Sequence, residues 1–215
     1  GLKNLQKFVN TCSDCGILTR QELVSMLPPL FLDIQESDLV LDMCAAPGSK
    51  TSQMLDMVYS GGLGRSPLKV LGGVVANECD GQRAYMLAHR LQSLGTSVMA
   101  IINHEGQHIP TLRKQGVPQG EDNRLFFDKI LADVPCSGDG AIRKIPLKWK
   151  CWNSRDGINI HSLQISILER SVQLTKVGGL VVYSTCSLNP IEDEAVLAEI
   201  LFRANREEPG SLELV

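Results

Sequence analysis

A chain of 215 residues, 43% apolar and 21% charged, has enough material for one domain around a sizeable core, with the balance of an ordinary globular protein. No apolar run is long enough to cross a membrane, and the opening GLKNLQKFVN lacks the basic, apolar and small-residue zones of a signal peptide. The net charge of −3 gives no global attraction for nucleic acid, so a polyanionic partner requires a local basic patch or a segment outside this chain.

The elements, in chain order, begin with a helical lead-in over residues 1–37. Thr19-Arg20-Gln21-Glu22 has the form of a capping box, with Thr19 at N-cap and Glu22 at N3. It precedes Leu23, Met26 and Leu27, and Pro28 and Pro29 are expected to stop the helix. Residues 38–215 then alternate strand and helix. Asp38–Met43 reads as the first strand, and a helix follows from Ser49 to about Tyr59. Gly73–Glu78 is the second strand, before a helix with Ala84, Leu87, Ala88 and Leu91 on one face. Ser97–Ile102 and Phe127–Asp133 are the third and fourth. Ile160, Leu163, Ile167 and Leu174 mark a long amphipathic helix, ended by Gly178-Gly179. Leu180–Ser184 is the fifth strand. Pro190 is expected at the first position of a last helix, with Glu192, Asp193 and Glu194 complementing its dipole. Polar segments 60–72 and 115–125 read as surface insertions, and the closing SLELV as the start of a sixth strand of a longer protein. Apolar strands separated by helices imply a doubly wound, mostly parallel α/β sheet covered on both faces.

Seven cysteines, an odd count with no mark of secretion, read as free thiols of an intracellular, reducing compartment. Cys44, Cys79, Cys136 and Cys186 each follow or end a predicted strand. Cys12 and Cys15 form a lone C-x-x-C without a second ligand pair, and His104 and His108 sit four apart in a loop beside Pro110; no metal is expected at either. Asp139, between two glycines, is expected to shape a turn.

Ligands of such sheets bind beyond the carboxyl ends of the strands. The first strand runs into Cys44-Ala45-Ala46-Pro47-Gly48-Ser49-Lys50, a small-residue turn that opens a helix, where a ligand can approach the backbone and free N–H groups. Glu78, Glu105 and Asp133 end or follow the next three strands. Glu78 suits the hydroxyls of a ribose, and Glu105 an adenine. The turn lacks the G-x-G-x-x-G of dinucleotide folds and the Walker pattern, so an adenosine ligand without a diphosphate, such as S-adenosylmethionine, fits better. Cys136 and Cys186 follow two strands that should lie close in the sheet, on the same edge. A pair of thiols there suits covalent catalysis, which needs a cysteine with thiolate character. Arg143, Lys144, Lys148, Lys150 and Arg155 make a basic stretch after Cys136, interleaved with Trp149 and Trp152. It reads either as phosphate contact with base stacking or as a solvated loop.

LDMCAAPGSKT, ILADVPCSGDG and VVYSTCSLNPIEDEAV together resemble the NOL/NOP/Sun family of RNA cytosine-5 methyltransferases. RQELVSMLPPL and CSGDGAIRK look most like its eukaryotic tRNA-modifying branch, and the resemblance covers essentially the whole chain. It implies a Rossmann-like methyltransferase domain that uses S-adenosylmethionine on RNA, tRNA in particular. By this resemblance Cys186 is the nucleophile that attacks carbon 6 of cytosine, and Cys136 helps release the product. Asp133 stabilises the activated base, and Lys50 orients the active-site groups. The stretch Cys44–Lys50, with Glu78, Glu105 and Asp133, holds the cofactor. Glu78 and Glu105 depart from the aspartates more usual in that branch, and one extra methylene shifts the contacts while keeping an acceptor. The branch also implies a nuclear, nucleolar location. Two rival readings stay open: a non-catalytic binding module of the same fold, and a DNA cytosine-5 methyltransferase, which would use Cys136 as nucleophile.

Overall fold

The computed structural model describes residues 1–60, 71–118 and 122–215. Five strands form one parallel sheet in the order β3-β2-β1-β4-β5. They are β1 (Leu39–Asp42), β2 (Gly73–Asn77), β3 (Met99–Ile102), β4 (Phe127–Asp133) and β5 (Thr175–Ser184). Leu41 pairs with Val75 on one side and Ile130 on the other, so β1 is central. The chain order reverses between β1 and β4, which creates the crevice where such sheets bind ligands.

Side chains alternate across the sheet with period two. Val40, Val74, Ala76 and Leu131 pack with Met54, Leu55 and Val58 of α3 (Ser49–Ser60) and Leu87 and Leu91 of α4 (Gly81–Gln92). Leu41, Val75, Ile130 and Ala132 face the other way, onto Ile167 and Leu174 of α6 (Arg155–Leu174). Both faces are thus covered, as the apolar runs of the central strands require. A third cluster joins Ile165 and Leu168 of α6 to Val196 and Ile200 of α7 (Glu194–Glu207).

Several expectations are corrected. The lead-in is helical over α1 (Leu2–Asp14), not from Thr19. Residues 19–22 are irregular, and the helical turn there is a 3-10 segment, Val24–Met26, running into α2 (Leu27–Leu30). Pro28 and Pro29 lie in the first turn of α2 instead of stopping a helix, because the first helical N–H groups have no intrahelical acceptor to lose. The capping-box acid, Glu22, instead pairs with Lys144. Strand β5 starts directly after α6, so Gly178 and Gly179 lie within it, where pairing with β4 shifts between Phe127 and Lys129. Pro190 does not open α7, which starts at Glu194 after a turn, and the final SLELV forms no strand. Residues 61–70 and 119–121, the bulk of one expected insertion and the middle of the other, lie outside the described residues.

Candidate active site

The carboxyl ends of β1, β2 and β4 and the loops after them frame one cleft of about 690 Å³. Its walls include Met43, Cys44 and Ala46 after β1, Glu78 after β2, and Glu105 and Gly106 after β3. Asp133, Cys136 and Cys186 complete it from β4 and β5. The size suits a small-molecule ligand, whose pockets span about 300–1,000 Å³. Ile167 and Leu163 of α6 give it an apolar wall, and both carboxylates and thiols line the rest.

Asn77, buried at the end of β2, fixes this edge. Its amide donates to the Met43 and His104 carbonyls, both at 2.9 Å, and its Oδ1 accepts from the His104 N–H at 3.0 Å. The turn after β1 divides its duties. Cys44 and Ala46 line both the cleft and a smaller cavity of about 190 Å³, whereas Ala45, Pro47, Ser49 and Lys50 line the smaller cavity alone; Asp133 borders both. Gly48 serves packing: its φ is +97°, and a Cβ there would stand 2.7 Å from Leu87 Cδ1. Arg83 and Arg90 of α4 donate to the Ala46 and Pro47 carbonyls at 3.0 and 3.3 Å.

Glu78 is buried, and its Oε1 accepts from the Asp80 N–H at 3.1 Å. Its Oε2 lies 3.4 Å from Arg83 Nη2. Glu105 is exposed, 2.8 Å from His108 Nδ1, and Gln107 donates to the same oxygen at 3.1 Å. Asp133 is held from both sides, by Lys50 Nζ on Oδ2 and Ser184 Oγ on Oδ1, each at 2.7 Å. Behind it, Asp42 is buried at the end of β1 and accepts from Thr51 Oγ1 at 2.7 Å. Burial pushes the Asp42 carboxyl up to about 7, against the Thr51 hydrogen bond, and the nearby Asp133 charge adds to the rise.

Cys136 and Cys186 stand together, Sγ to Sγ 3.2 Å. Either thiol can donate in this bond; with Cys136 as the donor, it draws the Cys186 thiol well below its ordinary range against burial and the Asp133 charge. The same bond, with burial, pushes Cys136 up. Glu192 locks the two cysteine loops. It is buried, and its carboxylate accepts from Ser137 Oγ at 2.5 Å and the Ser137 N–H at 2.7 Å on one loop, and from Ser187 Oγ at 2.8 Å on the other. Burial alone would raise its carboxyl; these bonds and that of Gln164 hold it below the usual carboxylate range. Asp139 adds a second tie, accepting from the Leu188 N–H at 2.9 Å.

The structure therefore brings Cys44, Ala46, Glu78, Glu105, Asp133, Cys136 and Cys186 to one cleft, with Lys50 behind Asp133. It places Ala45, Pro47, Gly48 and Ser49 outside that cleft. Of the basic stretch, Lys148 lines the cleft; Arg143, Lys150 and Arg155 are exposed, and Lys144 turns to Glu22. Trp149 is 78% exposed, whereas the Trp152 indole nitrogen is buried without a partner among the described residues. All seven cysteines are free, and no cluster of three or more metal-ligating side chains exists among the described residues. Sequence reasoning missed Asn77, Arg83, Ser184 and the hub role of Glu192. The only signal was the position of Asn77 and Ser184 at strand ends and of Glu192 within a cysteine motif; Arg83, in the first turn of α4, had none.

The family model described as 16S rRNA methyltransferase RsmB/F matches residues 29–214. A multisite-specific tRNA:(cytosine-C(5))-methyltransferase of Saccharomyces cerevisiae is 45% identical over 196 residues, which are 91% of this chain and 28% of that protein. A tRNA (cytosine(34)-C(5))-methyltransferase of Drosophila melanogaster is 45% identical over 215 residues, 100% of this chain and 28% of the relative. A solved methyltransferase homolog from Pyrococcus horikoshii superposes with a TM-score of 0.68 at 32% identity, covering 89% of this chain and 53% of that one. The chain thus spans under a third of the length of these tRNA-enzyme relatives. With the match running across the small-residue turn and both cysteine loops, this chain belongs to the RsmB/F methyltransferase family.

Proposed function

We propose that residues 38–215 form the catalytic domain, and 1–37 a helical lead-in, of an S-adenosylmethionine-dependent enzyme that methylates carbon 5 of cytosine in RNA, with tRNA as substrate. One observation carries the reading: two thiols 3.2 Å apart share a cleft with Asp133, Glu78 and Glu105. The cofactor fits this cleft by size, by its apolar α6 wall, and by Glu78 and Glu105 as acceptors for hydroxyl and amino groups; the turn Cys44–Lys50 lies alongside. Bound there, S-adenosylmethionine supplies an electrophilic methyl group.

The protein's own groups do the rest. Carbon 5 of cytosine is too weak a nucleophile to be methylated directly. Addition of the Cys186 thiolate to carbon 6 forms a C–S bond and sends the ring's electron pair toward carbon 5, which becomes enamine-like. Asp133, oriented by Lys50 and Ser184, receives the N3–N4 edge of the base, where charge develops. After methylation, carbon 5 loses its proton to a base, the double bond reforms and the C–S bond breaks. Cys186 leaves as a thiolate, and the Cys136 S–H stands ready to receive it. The target base must leave its stack to enter. A nuclear site of action accompanies the tRNA-modifying reading, and imaging of the tagged protein checks it.

Trapping on a short RNA that carries 5-azacytidine, with S-adenosylmethionine, tests the mechanism. A denaturation-resistant adduct that disappears with Cys186→Ala and persists with Cys136→Ala supports it. Dependence on Cys136 alone would reverse the roles, as the DNA-methyltransferase reading requires. No adduct with cofactor binding intact would favour a binding module.

A further inference from the structure

Lys148 is set apart from the other cations that follow Cys136. It is half-buried and lines the cleft that holds both thiols, and none of the other four does. Its Nζ donates to the Ser137 carbonyl, one residue after Cys136. A methyl group on Gly138 would stand 2.8 Å from Lys148 Nζ and 3.6 Å from Cys186 Sγ, so the ammonium and the sulfur flank the same small space. Gly138 has φ +71°, which any other residue adopts at a cost, and its missing side chain leaves that space open.

The arrangement is held rigidly. The Gly140 N–H donates to the Cys186 carbonyl at 3.0 Å, and a Cβ on Gly140 would meet that oxygen at 2.8 Å. Lys148 opens the short α5 (Lys148–Cys151), and its own N–H donates to Ile145 at 2.9 Å. The cation therefore has a fixed place beside the reacting sulfur, unlike a lysine on a solvated loop.

Among the described residues, three charged or titratable groups act most strongly on Cys186. Asp133, from the end of β4, opposes a thiolate, although Lys50 is paired to it. Cys136 supplies a hydrogen bond. Lys148 is the cation that faces the sulfur among the described residues. The geometry points to Lys148 as a positioning residue that holds Cys186 in its thiolate form, a role that rests on the reading of Cys186 as the nucleophile. A cation near a thiol favours the charged sulfur, and the local loss of water strengthens the effect.

The test is the pH dependence of iodoacetamide alkylation at Cys186, read by peptide mass spectrometry on RNA-free protein. Wild type is compared with Lys148→Met and Lys148→Arg. Lys148→Met is expected to move the midpoint to higher pH by about one unit, slowing alkylation about tenfold at pH values below both midpoints and only about twofold at pH 7, and Lys148→Arg is expected to restore most of it. An unchanged midpoint in Lys148→Met overturns the proposal, including the case in which RNA affinity falls, which would make Lys148 a phosphate contact. Thermal denaturation checks folding, and Lys148→Gln replaces the Met variant if that one unfolds. Adduct trapping with wild-type protein is scored separately: its failure removes the nucleophile reading, whereas an adduct with an unmoved midpoint removes only the role of Lys148.

Discussion

Glu192 offers a sharp test of how the two cysteine loops are held. Its two oxygens have different partners. Oε1 accepts from Ser137 Oγ at 2.5 Å and Ser187 Oγ at 2.8 Å, with Asn189 Nδ2 farther away at 3.5 Å. Oε2 accepts from the Ser137 N–H at 2.7 Å and Gln164 Nε2 at 3.2 Å, donors that cannot reverse. In Glu192→Gln the new amide nitrogen takes the Oε1 place, because serine hydroxyls can turn and become acceptors. What is lost is charge assistance, at about 1–2 kcal/mol. Glu192→Ala strands the Ser137 N–H and the Gln164 amide without an acceptor and leaves a cavity beside Gly157, which costs about 3–5 kcal/mol. That is a large part of the roughly 5–15 kcal/mol that stabilises a domain. Urea denaturation of the two variants measures both values. Adduct formation on 5-azacytidine RNA should fall more than stability does in Glu192→Gln, since the hub sets the spacing of Cys136 and Cys186. A loss below about 0.5 kcal/mol in the Ala variant would refute the reasoning, as it would mean that water or rearranged loops replace the carboxylate.

Cys136→Ala removes the S–H that supports the Cys186 thiolate, so Cys186 alkylation should shift to higher pH while the RNA adduct still forms and accumulates; pH-resolved alkylation checks the first part. Asp42 titrates near 7 in the folded protein against 3.8 for a free aspartate. Between those values the folded chain keeps a proton that the unfolded chain has released, so this group makes stability fall as pH rises from about 4 to about 7; Asp42→Asn should flatten that slope in urea titrations at pH 5 and 8. Gly48→Ala forces a side chain into φ +97° and against Leu87, and should cost about 2–4 kcal/mol by the same denaturation measurement, with the cofactor cleft left intact.

The parts legible in the sequence are those governed by near neighbours. Phe127–Asp133 has the bounds expected, because Phe127 and the apolar run Ile130–Ala132 are closed by the charge of Asp133, and the apolar face of α4 is as expected because Ala84, Leu87 and Leu91 repeat at helical spacing. The errors arise where a distant contact overrides a local rule. The capping-box motif at Thr19 was sound as a pattern. Yet Gln21 donates to Gln53 at 2.9 Å, 32 residues away, and Glu22 turns to Lys144, so tertiary partners claim the groups that a cap would use. Glu192 was read as decoration of a helix dipole, since an acid just after Asn-Pro invites that reading. Its actual partners are Ser137, 55 positions away, and Gln164, 28 away, and no spacing rule reaches that far. The site shows the same division. The strand order put Glu78, Asp133, Cys136 and Cys186 on one edge, which follows from a parallel sheet alone. Which of five nearby cations faces the sulfur depends on the phase of a four-residue helix after a glycine turn. Periodicity has no hold on so short an element, and only the folded chain distinguishes Lys148 from Lys150.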